Sequence, residues 1–75
     1  MKNIVVYTSD SCPYCMAVKG YLSQKGMNYE ERNVKTSEYR KELIELGFMS
    51  VPVVKINEEV IQGFDMKAID KALDA

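Results

Sequence analysis

The sequence predicts an α/β domain in which four short strands form one mixed sheet and three helices cover it, in the order βαβαββα. Three observations lead there. The run Ile4-Val5-Val6-Tyr7 is short, β-branched and continuously apolar, as expected for a central strand buried on both faces. Apolar residues recur at helical spacing in three places: Cys15, Val18 and Leu22; Tyr39, Leu43 and Leu46; Met66, Ile69 and Leu73. Two β runs, Val51 to Ile56 and Glu59 to Gln62, flank the polar pair Asn57-Glu58 as the arms of a hairpin flank its turn.

The elements follow in order. Thr8-Ser9-Asp10-Ser11 ends the first strand, and helix formers dominate from Pro13, a residue suited to the first helical turn, to about Lys25. Gly26 stops that helix. Asn28 to Val34 reads as a mostly polar edge strand with Tyr29 its main apolar contribution. Thr36 or Ser37 caps the second helix and Gly47 ends it, while Asp65 caps the third. A right-handed crossover makes the first two strands parallel, and the hairpin makes the last two antiparallel. One sheet with helices on both faces satisfies both pairings. The loop after the first strand then meets the first helix at the strand's carboxyl end, where α/β sheets place their sites. Cys12 sits there.

Composition sets the limits. The chain, residues 1–75, is one domain, and at this size folding buries roughly 60% of the unfolded surface. Ten Lys and Arg stand against eleven Asp and Glu without long runs of either sign, so nothing favours nucleic acid. Met1-Lys2-Asn3 leads directly into an apolar run too short for a signal-peptide core or a membrane span, which points to the cytoplasm and to no membrane partner. The two cysteines lie three positions apart, and a loop so short adds little to stability. In a reducing compartment such a pair is read as chemistry rather than scaffold.

In Ser11-Cys12-Pro13-Tyr14-Cys15, Pro13 at the first helical position puts Cys12 at the cap, where free N–H groups and the helix dipole stabilise a thiolate. Cys15, one turn further in, is the less accessible thiol. Lowering a thiol pKa from about 8.5 to about 5.5 raises its thiolate fraction at pH 7 from roughly 3% to nearly all. Nucleophilicity falls roughly twentyfold over the same interval, so attack gains little and departure from a mixed disulfide gains most. The chain has no His, which excludes a Cys–His nucleophile and leaves too few ligands for a four-ligand zinc site in one chain. Two chains together could supply four thiolates, and an inert pair is the plainest alternative. The motif at a strand-to-helix junction favours redox catalysis over both.

Tyr7-Thr8, Cys12-Pro13-Tyr14-Cys15, Ser50-Val51-Pro52 and Gly63-Phe64-Asp65, in this order and spacing, resemble the glutaredoxin family over essentially the whole chain. The resemblance implies a thioredoxin-like fold, Cys12 as nucleophile, Cys15 as resolving thiol and a cis peptide before Pro52. It also implies a glutathione groove built from Tyr14, Val51, Pro52, Gly63, Phe64 and Asp65. There the tripeptide runs antiparallel to backbone at Val51, and its γ-glutamyl carboxylate meets the last helix at Phe64 and Asp65. The physics agrees, since a helix N-terminus receives anions and an Asp cap accepts from the ligand's ammonium.

The chain departs from the family in two places. Ser9 stands where many glutaredoxins carry a Lys for the glycine carboxylate; Arg40 and Lys41 on the second helix either reach that carboxylate in its place or are part of a solvated helix face. Gln62-Gly63 stands where many have Gly-Gly, and Gly63-Phe64 also resembles the small redoxins that reduce ribonucleotide reductase and are recharged by thioredoxin reductase. Those redoxins usually lack Pro-Tyr between the cysteines. Lys19, one turn after Cys15, either steadies the thiolate field or is a solvated helical lysine.

The expectation is a monomeric thiol-disulfide oxidoreductase that reduces protein disulfides and glutathione-mixed disulfides. Its thiol co-substrate is glutathione, and no metal or flavin is required. The first alternative is the redoxin served by thioredoxin reductase. The second, from another class, is an iron–sulfur cluster carrier in which two chains present Cys12 with two glutathiones, an arrangement Pro13 argues against.

Overall fold

A computed structural model of the chain describes residues 3–74; Met1, Lys2 and Ala75, the ends of the expected 1–75 domain, lie outside them. Seven elements follow in the expected order: β1 (Ile4–Thr8), α1 (Pro13–Gln24), β2 (Glu30–Asn33), α2 (Ser37–Glu45), β3 (Val53–Ile56), β4 (Glu59–Gln62) and α3 (Met66–Asp74). The sheet runs β2-β1-β3-β4, with β2 parallel to β1 and the other neighbours antiparallel. This is the order and the mixed sheet expected of a thioredoxin-like fold.

Alternation along β1 divides the core. Ile4 and Val6 face α1 and α3, where they meet Val18, Leu22, Ile69, Ala72 and Leu73. Val5 and Tyr7 face the other way, toward Leu43 of α2. All five β1 residues are buried, because helices cover both sides of this central strand. Burying a side chain such as Leu22 contributes about 1.5–3 kcal/mol, so the thin core rests on a few such residues.

Two helices end on the same device. The amides of Gly26 and Met27 bond the carbonyls of Ser23 and Leu22, and those of Gly47 and Phe48 bond Ile44 and Leu43. Both glycines hold positive φ, 72° and 93°, as this Schellman arrangement demands of its turning residue.

Four expectations need correction. The edge strand β2 covers Glu30–Asn33 rather than Asn28 to Val34, since it can pair only along the length of β1 facing it, Val5↔Glu30 to Thr8↔Asn33. Strand β3 starts at Val53 rather than Val51, because Pro52 has no N–H for the ladder. Met66 is 49% exposed rather than core, since it lies in the first turn of α3, N-terminal to the buried Ile69–Ala72–Leu73 face. Tyr39 lies under the Arg32 guanidinium, 5.6 Å from its ring centre, instead of joining Leu43 in the core.

Candidate active site around Cys12 and Cys15

The site begins with the junction of β1 and α1. Cys12 occupies the N-cap of α1 in extended conformation, Pro13 opens the helix, and Cys12 and Cys15 form a disulfide with their Cα atoms 5.2 Å apart. The Cys15 amide donates to Cys12 Sγ at 3.1 Å. That is the bond an N-cap Ser or Asp oxygen ordinarily accepts, here made to sulfur. Once the pair is reduced, the same amide and the helix dipole face the charge of a Cys12 thiolate. Cys12 is half-buried while Cys15 is 1% exposed, so an incoming sulfur reaches Cys12 first. Tyr14 between them is 66% exposed.

The second wall comes from the chain before β3 and after β4. The peptide between Val51 and Pro52 is cis. Gly63, at φ 81°, donates its N–H to the Pro52 carbonyl at 2.8 Å, and Gln62 Nε2 donates to Ser50 Oγ at 2.7 Å. These two bonds bring Val51, Pro52 and Gly63 together. Val51 precedes the first pair of β3, Val53↔Gln62, so its backbone stands outside the sheet ladder. Asp65 Oδ1 accepts from the Ala68 amide at 3.1 Å and caps α3. Phe64, just before it, packs on the core and meets Tyr21 edge to face, with ring centres 6.0 Å apart.

Beside Val51 lies a cavity of about 350 Å³ whose walls include Ser9, Asp10, Val34, Arg40 and Ser50. Arg40 and Lys35 thus share a cavity with Ser9 and Val51, whereas Lys41, Tyr14, Cys12, Pro52, Gly63, Phe64 and Asp65 line none of it. Lys19 is engaged elsewhere. Its Nζ and the Thr8 hydroxyl both donate to Glu31 Oε2 at 2.9 Å, and these two donors, Lys19 first, hold the Glu31 carboxyl below its usual range. Among the described residues, no group of three or more His, Cys, Asp or Glu is placed to hold a metal ion. Nor is any helix of those residues long and apolar enough to cross a membrane.

Sequence reasoning missed the polar clamps behind the site. On the α2 face, the buried Tyr7 hydroxyl donates to Glu42 Oε1 at 2.9 Å and Arg32 Nη1 donates to the same oxygen at 2.6 Å. Arg32 also pairs with Glu30. Glu42 is held below the ordinary carboxylate range by the Tyr7 hydroxyl first and Arg32 second, while burial and Glu42 together push Tyr7 up. The partners lie 35 and 10 positions apart, and nothing in local periodicity marks them.

Residues 4–61 match the Glutaredoxin family profile. A glutaredoxin-like 8.6 kDa protein in the rubredoxin operon of Clostridium pasteurianum is 34% identical over 73 residues, covering 95% of this chain and 97% of its own. Glutaredoxin 3 of Escherichia coli K12 is 36% identical over 67 residues, 87% of this chain and 81% of its own. The chain is also similar to the solved structure of the glutaredoxin-like protein NrdH-redoxin from Escherichia coli, described by its thioredoxin-like activity profile. That structure superposes with a TM-score of 0.85 at 30% identity and 92% coverage of both chains.

Proposed function

The chain belongs to the glutaredoxin family of thiol-disulfide oxidoreductases, and on that premise we propose that it reduces glutathione-mixed and protein disulfides with glutathione as its electron source. The Cys12 thiolate attacks one sulfur of the substrate disulfide; a mixed disulfide with Cys12 forms and the other sulfur leaves as a thiolate. Cys15 then loses its proton and attacks Cys12 Sγ, closing the internal disulfide and releasing the second substrate thiol. Two glutathiones reopen that disulfide and depart as glutathione disulfide. With a glutathionylated substrate, a free glutathione can instead resolve the mixed disulfide, and Cys15 is then dispensable.

One observation carries the choice of glutathione. Arg40 lines the same cavity as Val51 and Ser9, so a cation borders the place where an extended tripeptide along Val51 would end in its glycine carboxylate. Arg40 thereby substitutes for the lysine that Ser9 replaces. The γ-glutamyl end would lie at the N-terminus of α3, with Asp65 accepting from its ammonium. The similarity to NrdH-redoxin supports a second reading, in which thioredoxin reductase recharges the pair and ribonucleotide reductase receives the electrons.

Arg40→Ala tests the first reading. Arg40 is exposed, and an exposed charge pair contributes about 0.2–1 kcal/mol, so the KM for glutathione should rise by about 1.4- to fivefold at low salt. Added salt should erode the difference. Lys41→Ala should leave KM unchanged. Equal KM values in wild type and Arg40→Ala at low salt would contradict Arg40 as the partner of the glycine carboxylate.

A further inference from the structure

Helix α1 carries Cys12 at its cap and Tyr21 nine positions later, about 13 Å further along the axis. Tyr21 touches the α3 segment twice. Its ring meets Phe64 edge to face at 6.0 Å, and its hydroxyl donates to Asp70 Oδ1. Lys25 closes the cluster, with Nζ 2.8 Å from the same Asp70 oxygen and 5.3 Å from the centre of the Tyr21 ring. Phe64 precedes α3 and Asp70 lies in its second turn, so Tyr21 touches both the chain that leads into that helix and its first half.

This double contact falls where the core provides least. The C-terminal half of α3 is fastened by Ile69, Ala72 and Leu73, all buried. At the other end Asp65, Met66 and Lys67 are exposed, and Phe64 and Ala68 alone reach the core. The end of α3 that borders the proposed groove is held by the Gly63–Pro52 bond and through Phe64, and Tyr21 is the aromatic partner of Phe64.

We propose that Tyr21 is a positioning residue for substrate capture: it sets the start of α3, with Phe64 and Asp65, at the right distance from the Cys12 cap. It touches neither substrate nor sulfur. The inference rests on the reading that a glutathione moiety lies against Phe64 and Asp65. Removing Tyr21 should loosen binding, while the attack of Cys12, which depends on the N-terminus of α1, should proceed as before.

The test uses prereduced protein and a glutathionylated peptide, with single-turnover rates measured across peptide concentrations so that no recharging enzyme is required. Tyr21→Ala should raise the half-saturating concentration by about three- to tenfold and change the limiting rate by less than about twofold. Tyr21→Phe keeps the ring against Phe64, loses the bond to Asp70 and should fall between wild type and Tyr21→Ala; it carries the test if Tyr21→Ala fails to fold. The alkylation rate of Cys12 should match wild type in both, and hydrogen exchange at the Ala68 and Ile69 amides should quicken. A purely structural role would lower the melting temperature and leave half-saturation unchanged, which overturns the proposal. Asp65→Ala separates the two levels. If it weakens binding and Tyr21→Ala does not, the groove stands and the role of Tyr21 falls; if neither weakens binding, both fall.

Discussion

The proposed function gives Asp65 two tasks, a helix cap and a ligand contact, that one pair of substitutions can separate. Its Oδ1 accepts the Ala68 amide and caps α3, and on the proposed glutathione reading its charge would meet the ammonium of the γ-glutamyl group. Loss of an N-cap bond costs about 1 kcal/mol, and for 75 residues the entropy of unfolding near the midpoint is about 0.16 kcal/mol/K. Asp65→Ala loses this bond and also the charge at the helix N-terminus, and should therefore lower the melting temperature by at least about 6 °C. Asp65→Asn keeps a side chain that caps about as well and loses only the charge at the helix N-terminus, worth about 0.3–1 kcal/mol. Its melting temperature should fall by less than that of the Ala variant. Because Asp65 is exposed, the lost charge pair with the ligand is worth about 0.2–1 kcal/mol, a rise of about 1.4- to fivefold in KM for a glutathionylated peptide. Thermal melts followed by circular dichroism, with steady-state kinetics on the same samples, read the two effects apart. If Asp65→Asn keeps the wild-type KM at low salt, Asp65 does not hold the ligand's ammonium; if Asp65→Ala melts like wild type, the cap is not holding α3.

Three further outcomes follow from the same geometry. Cys12→Ser should lose all disulfide reduction, whereas Cys15→Ser should keep a glutathione-dependent activity on glutathionylated peptide; equal inactivity of the two would overturn the assignment of nucleophile and resolver. The alkylation rate of Cys12 in the reduced protein, followed against pH, should have its midpoint well below the free-thiol value of about 8.5, because the Cys15 amide faces that sulfur. Glu42 is held below its ordinary range by Tyr7 and then Arg32, so its contribution to stability is present above the unfolded pKa of about 4.3 and is lost as pH falls through the lower folded value. Melting temperature should accordingly decline between about pH 5 and pH 3, and Glu42→Gln should make that decline shallower; an unchanged slope would show that Glu42 does not contribute to acid sensitivity.

The order of elements was legible because each carries its own local signature: a β-branched run at Ile4–Tyr7, a proline at the head of α1, and glycines at its end and at that of α2. So was the placement of Cys12, which follows from a strand-to-helix junction and a Pro13 that can occupy only the first turn. Boundaries were less legible. How far β2 extends is decided by the strand beside it, and Met66 lies on the apolar stripe of α3 yet in the turn that stays exposed. The clamps were not legible at all. Thr8 with Glu31, Tyr7 with Glu42 and Tyr21 with Asp70 are separated by 23, 35 and 49 positions, and only the folded register brings them together. Lys19 illustrates the cost of reading one helix alone, since its partner is a glutamate on a neighbouring strand rather than the cysteines on its own.

The central claim is that glutathione recharges the Cys12–Cys15 pair, and NADPH oxidation in two parallel assays tests it most directly. Both contain the protein and one glutathionylated peptide; one adds glutathione with glutathione reductase, the other thioredoxin reductase alone. Sustained turnover in the first and only background consumption in the second is the predicted result. Turnover with thioredoxin reductase and none with glutathione would contradict the account and place the chain with the redoxins it also resembles.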